Sequence, residues 1–541
     1  MTAAAVADLG RDFWTWRRAQ MPRTADDIPR LDRPPEWVPD WSPTAVSGYR
    51  ERLAALDARW RGLEVDDQPV GVQVDHRLIG SALARVAWEL DRVRNWERDP
   101  GFYVDQTLGI VFDLLLEPPP FAPSRQAQLV RRMRSIPRTL EHARANLGRD
   151  LAAPFATVAA RNLAEVGSQV RESVAALAAE LAPQVHAALT DAAVEAVAAL
   201  EAYRDWVASR IGGAVADTAV GREHFAFFLR EVALCPYTPE ELLAMARQEW
   251  DRAVVFEAIE RNRNRDLPAP PLPADAAAQI ARERADEEAV RTFYDREGIL
   301  TQPASLGHYR NLPLPAYLAP LSWLGVTDDL TAPDRLDADG VSYVPEPRPD
   351  LPYFYLANAR DPRAGIVHEG AHYQQLAIAY GHDNPLRRHY YDSGPNEGIA
   401  FYNEELLLQA GLFDDQPRTR EVIYNFMRLR ALRVEVDVKV AIGEFDLDTA
   451  GRCLEEAVPM DRATAEEEAA MFAATPGQGL TYQIGKLQIL RFATDALRVQ
   501  GASFHLRAFH DYLWRNGNLP IALLRWEYLG LRDDLDRIDA V

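Results

Sequence analysis

Apolar residues recur at three- and four-residue spacing along most of the chain, a pattern that predicts helices far more often than strands. Residues 45–64 and 76–95 carry it with charged residues between the apolar ones. Residues 153–209 are rich in Ala and Val and predict two or three long helices. Their alanine stripe does not persist in heptads, which favours ordinary bundle helices over a coiled coil. Two further helices, rich in Arg and Glu and read as solvated, are expected between 241 and 301. Pro-rich stretches at 22–43, 117–123 and 267–273 interrupt the pattern. The first holds six prolines and two tryptophans and predicts an extended, packed loop. Strand character is confined to 341–358, VSYVPEPRPDLPYFYLAN, where the prolines point to edge strands. On the long segment around 422–436, the stripe Val422, Phe426, Leu429, Val436 reads as core packing.

Length and composition narrow the class. The chain has 541 residues, and 48% of them are hydrophobic. That exceeds one simple core, so an N-terminal helical lobe (1–240) and a C-terminal lobe (241–541) in one integrated unit are expected. A net charge of −21 argues against a nucleic-acid partner, which needs a basic footprint. Cys235 and Cys453 build neither a disulfide framework nor a thiolate metal site. The N-terminus, interrupted by Asp8 and Asp12, makes a poor signal peptide. No uncharged apolar run is long enough for a membrane span. The expectation is a soluble, cytoplasmic protein without a membrane partner.

The chemistry concentrates in Ile366–Tyr380, IVHEGAHYQQLAIAY, a helical pattern with Gly381 as its stop. Within it, His368 and His372 lie four residues apart and project from one helix face, so both imidazoles can reach one ion. Zinc suits two neutral nitrogens plus a carboxylate, with one position open to water. Glu369, beside the first histidine, is placed to take a proton from that water as general base. The third ligand is expected on the next helix, opening at Ser393-Gly394-Pro395-Asn396. Glu397 follows directly, and Glu404, two turns on, could orient a ligand histidine. The implied cofactor is one Zn2+ per chain.

These residues resemble the zincin-like bacterial family catalogued as domain of unknown function 885. The likeness rests on YFYLANARDP, HEGAHYQQ, EGIAFYNEELLLQAGLF, TPGQGLTYQIGKLQILRF and FHLRAFHDYLWRNGNLPIALLRWE, in that order. It implies a mainly α, multi-helix, gluzincin-like fold with a small β edge element before the metal helix. It also implies two helical lobes around a deep channel and a metallopeptidase-like enzyme with His368, His372, Glu397 and Glu369 in the roles above. Two departures stand out. Many family members carry a longer, Pro-Gly-containing spacing between the histidines, compact here. Members often carry an Asp-Thr-Gly-x-His run on the helix after the third ligand; here it reads Asp437-Val438-Lys439-Val440-Ala441, without the histidine.

A tetrahedral intermediate needs an oxyanion donor. Tyr482, after the Pro476-Gly477 turn, is the candidate. Lys486 or Arg491 could hold a substrate carboxylate, and Asp437 and His510 are further candidates near the substrate. His308 and His389 stand alone and read as structural or exposed. The leading expectation is a hydrolase of peptide or amide bonds acting on short peptides or small amide-containing substrates. The missing histidine motivates an alternative, a zinc enzyme that hydrolyses or eliminates from a small non-peptide metabolite in a biosynthetic pathway. A non-catalytic binding protein is the third class, and the intact Glu369 argues against it.

Overall fold

In the computed structural model, residues 2–24, 33–148, 150–458 and 460–540 are described, and they are mainly helical. Proline opens many of the helices. Pro43, Pro123, Pro183, Pro239 and Pro417 each sit in a first turn, where the missing N–H costs nothing. The Ala/Val-rich segment forms three helices, Ala153–Asn162, Val166–Ala176 and Pro183–Arg210. Within the Pro-rich stretch 22–43, residues 25–32 lie outside the described residues. Around them the chain is irregular, and Trp41 is buried edge-on against Phe102, with ring centroids 4.8 Å apart.

The two Arg/Glu-rich helices are α1 (Pro239–Arg263), started by a Thr238/Glu241 capping box, and α2 (Ala276–Arg296). Their charged faces are not simply solvated. Glu257 and Glu260 on α1, and Glu283 and Glu287 on α2, are buried. Buried acids need partners, and these have them. Glu260 meets Arg420, Glu257 meets Arg428, and Glu283 accepts the Asn311 N–H at 3.0 Å.

A small sheet follows: β1 (Tyr309–Pro313), β2 (Asp328–Asp329) and β3 (Gly340–Val344), in the order β1-β3-β2. β3 is therefore central, parallel to β1 and antiparallel to β2, and not an edge. The rest of the expected strand region is no strand. Pro345 and Pro347 end β3, and Pro352 starts a helix, α3 (Tyr353–Arg360).

The remaining helices that frame the site are α4 (Glu369–Tyr380), α5 (Ser393–Ala410), α6 (Pro417–Ala441), α7 (Arg462–Ala474) and α8 (Thr481–Gln500). α6 lies along α1, and α5 along α8. Phe426, Leu429 and Val436 are buried in the core as their stripe predicts, with Val422 partly buried. Among the described residues, no helix is long and apolar enough to cross a membrane.

Candidate metal centre

α4 begins at Glu369, three residues later than the pattern predicts. The His368 N–H bonds to the Gly365 carbonyl, three residues back, so a tight turn joins a short preceding helix to α4. The four-residue relation survives, because the His372 N–H still bonds to the His368 carbonyl at 3.1 Å. The two imidazoles stand at 89° with centroids 5.0 Å apart. Asp392 caps the N-terminus of α5, accepting from the Gly394 N–H at 2.8 Å. This cap starts α5, and Glu397 is the fifth residue of that helix. Glu397 Oε2 then lies 3.4 Å from His368 Nε2 and 3.3 Å from His372 Nε2.

The chemistry of these donors fits a cation. One atom from each of His368, His372 and Glu397 lies within 4.8 Å of the others, and all three residues are buried. His372 Nε2 and both Glu397 oxygens make no hydrogen bond. A buried carboxylate without donors costs several kcal/mol unless a positive charge faces it. Burial pushes the Glu397 carboxyl up, but the facing imidazoles more than offset this and hold it well below the usual carboxylate range. Burial likewise disfavours charge on His368 and His372, and Glu397 reverses this, raising both. Three groups that each demand positive charge at one point match the donor set of a divalent ion. Glu404 completes the arrangement: its Oε1 lies 2.7 Å from His368 Nδ1 and also takes Arg430 Nη2 at 3.3 Å.

Glycines bring the two supporting helices together. A Cβ on Gly485 of α8 would stand 2.1 Å from the Gly394 carbonyl oxygen, and one on Gly398 of α5 would stand 2.8 Å from Gly485 Cα. This near-contact of backbones sets Tyr482 against the triad, its ring stacked on His368 at 6.1 Å and 15°. A cavity of about 760 Å³ reaches the centre, and Glu369, half-buried, lines it with His368, Glu404 and Tyr482. Its other walls include Tyr309, Asn311, Asp328 and Ser342 from the sheet, and Phe354, Tyr355 and Asn358 from α3. From α6 come Phe426, Arg430 and Arg433, and from the N-terminal half Asn95, Asp99, Asp105 and Phe155.

Residues 32–296 and 338–527 match a family described as a bacterial protein of unknown function, DUF885. The chain belongs to this family. The second matched block holds the triad, Glu369, Glu404 and Tyr482. No curated protein matches the chain. Two solved structures share the fold across their length. One, described as a lipoprotein of unknown function from Shewanella oneidensis, is 17% identical, with 97% of this chain and 99% of that chain covered and a TM-score of 0.69. The other, described as a lipoprotein from Colwellia psychrerythraea, is 14% identical, with 100% and 99% covered and a TM-score of 0.73.

Within this family member, the remaining candidates sit away from the cavity. Asp437 is fully buried and accepts the N–H groups of Gly477 and Leu480, both at 2.9 Å. Burial pushes its pKa up to about 7 against the pull of those bonds. It pins the turn that leads into Tyr482 and touches no substrate space. Ala441, at the place of the missing histidine, packs in an apolar cluster with Phe225 and Val438, so the 437–441 run lines no part of the cavity. Lys486 is buried and donates to Glu405 at 2.8 Å and Glu249 at 3.2 Å. Arg491 is committed to Asp533 and Asp534 near the C-terminus, at 2.6 and 2.7 Å. Neither is available to a substrate carboxylate. His510 is a core residue: Nδ1 donates to the Ile299 carbonyl at 2.8 Å, Nε2 meets the Tyr402 hydroxyl at 3.0 Å, and burial lowers its pKa. His308 pairs with Glu287, and His389 lies against Trp14. Arg430 and Arg433 do reach the cavity, although no motif in the sequence marks them.

Proposed function

We propose that this protein is a zinc-dependent hydrolase of the gluzincin type, cleaving a peptide or amide bond in short peptides or small amides. One observation carries the reading: a buried His-His-Glu set with lone pairs unspent on hydrogen bonds, beside a half-exposed carboxylate on a cavity wall. His368, His372 and Glu397 would hold the ion, and when bound it would supply Lewis acidity toward a carbonyl oxygen and toward water. Glu404 fixes the His368 ring through Nδ1, leaving Nε2 toward the ion. Glu369 takes the proton from attacking water on its carboxylate and returns it to the leaving nitrogen. Tyr482, stacked beside His368, offers a phenolic O–H to the developing oxyanion without bringing a fixed charge.

Metal content and turnover of dipeptides and acyl-amino acids test this together. Purified protein is expected to carry one zinc per chain and His372→Ala none. Glu369→Gln is expected to keep its zinc while losing roughly 10²–10⁴-fold in rate. A metal-free wild type after purification with zinc present, or full activity in Glu369→Gln, would refute the reading.

A further inference from the structure

Arg430 and Arg433 lie three residues apart on α6 and both line the cavity, but their guanidinium groups are committed differently. Arg430 gives Nη2 to Glu404, and its Nε and Nη1 are sealed from solvent among aromatic rings, Phe426 at 4.9 Å and Phe401 and Tyr482 at 5.6 Å. It is a positioning group. Arg433 gives Nε and Nη2 to Glu468, the first at 3.0 Å, and its Cζ lies 4.9 Å from the Tyr482 ring centroid and 5.5 Å from that of Phe354. Its Nη1 takes no partner among the described residues and, unlike that of Arg430, is not sealed off. Arg433 as a whole is only 6% exposed. A buried guanidinium, clamped in place and with one nitrogen uncommitted beside a cavity, is a donor held for a ligand.

We propose that Arg433 anchors the carboxylate of the substrate, so the substrates are short peptides and N-acyl amino acids whose free C-terminal residue is apolar. Charge sets the class. Glu468 already shares the Arg433 charge, and Glu369, Glu404 and Glu467 line the same cavity, so a monoanion is tolerated where a dianionic phosphate would be repelled. The surroundings set the side chain, since Phe354 and Phe426 form the adjoining wall. Position sets the bond: the Tyr482 ring lies beside both the Arg433 guanidinium and the His368 imidazole. An acid held at Arg433 thus puts the carbonyl near Glu369 within a residue or two of its own C-terminus.

The reaction in this proposal rests on the hydrolase reading, and the binding does not. Calorimetric titration of zinc-loaded Glu369→Gln protein with N-acetyl-alanyl-phenylalanine and with its C-terminal amide separates the two. The free acid is expected to bind at least about tenfold more tightly than the amide, the scale of one charge-assisted hydrogen bond. Adding Arg433→Gln should bring the two ligands to within about twofold, and Arg433→Lys should retain part of the preference. Equal affinity for acid and amide, binding of neither, or a preference untouched by Arg433→Gln would overturn the anchor. If Arg433→Gln fails to fold by circular dichroism, the acid–amide ratio in the parent and in Arg433→Lys decides. Selective binding of the acid without turnover by wild type would leave the anchor standing and remove the hydrolase. Equal hydrolysis of acids and amides would do the reverse.

Discussion

His368 is held from two sides, with Nε2 facing Glu397 and Nδ1 2.7 Å from Glu404. A carboxylate behind a metal-binding histidine fixes its tautomer and raises its basicity, so under the proposed reading the pair would act together. Glu404→Gln keeps the size of the side chain and removes the charge. Zinc affinity, measured by competition with a chromogenic chelator, is expected to fall about 10–100-fold. An unchanged affinity would remove Glu404 from the centre. Much at this scale was legible. Four-residue spacing defined the histidine pair, and a carboxylate on the helix after it picked out Glu397. Glu404 followed from lying two turns further along the same helix. Lys486 and Arg491 looked free to hold an anion because a charge's partner is invisible in sequence. Lys486 finds Glu405 and Glu249, and Arg491 finds Asp533 and Asp534, all far along the chain. On α6, Arg430 and Arg433 lie one helical turn apart in a stretch that also carries Arg428 and Glu435, so spacing alone does not single them out.

The triad depends on how closely α5 and α8 approach, since one carries Glu397 and Glu404 and the other Tyr482. Gly485→Ala would place a methyl 2.1 Å from the backbone oxygen of Gly394, a contact no rotamer relieves. The helices must separate, at an expected cost of about 1–3 kcal/mol or more, with weaker zinc binding as Glu397 moves off. Gly48→Ala is the matched control. That glycine lies inside the helix Pro43–Arg61, with open space around a new Cβ. The substitution should stabilise by about 0.5–1 kcal/mol. Thermal melting and chelator competition on both variants check the pair, and equal behaviour would refute the role of the crossing. Helices of this kind were readable because their apolar period and their proline starts agree. The YFYLAN segment was not, since aromatic and β-branched residues favour strands only where a pleated neighbour exists. Here Tyr353 and Phe354 instead pack on Phe426 of α6, at 5.7 and 5.5 Å, and the local pattern yields to that packing.

Across the whole molecule, the cavity draws its walls from Asn95, Asp99, Asp105 and Phe155 as well as from the helices that carry His368, Glu404 and Tyr482. The two sequence halves are joined in other ways too. One cluster of buried apolar side chains runs from Val6 to Ile538. Arg85 pairs with Asp392, the very residue that caps α5, at 2.6 Å, and Asp75 binds Arg387 at 2.9 Å. Ser81 donates to the Val232 carbonyl and meets the Tyr390 hydroxyl, both at 2.6 Å. A fragment of residues 241–541 would keep the triad and Glu369, yet expose the apolar faces that residues 1–240 cover and strip Asp392 of its cation. Asp392 is fully enclosed in the intact chain, where burial pushes its pKa up and Arg85 pulls it down. In the fragment the cap loses that pairing, which loosens the start of the helix that carries Glu397. The fragment is therefore expected to be aggregated or poorly folded by circular dichroism and to lose most zinc binding. Arg85→Gln in the full chain should weaken zinc binding more mildly while leaving the fold intact. A soluble 241–541 fragment with full zinc affinity would show that the metal centre is assembled by the C-terminal half alone.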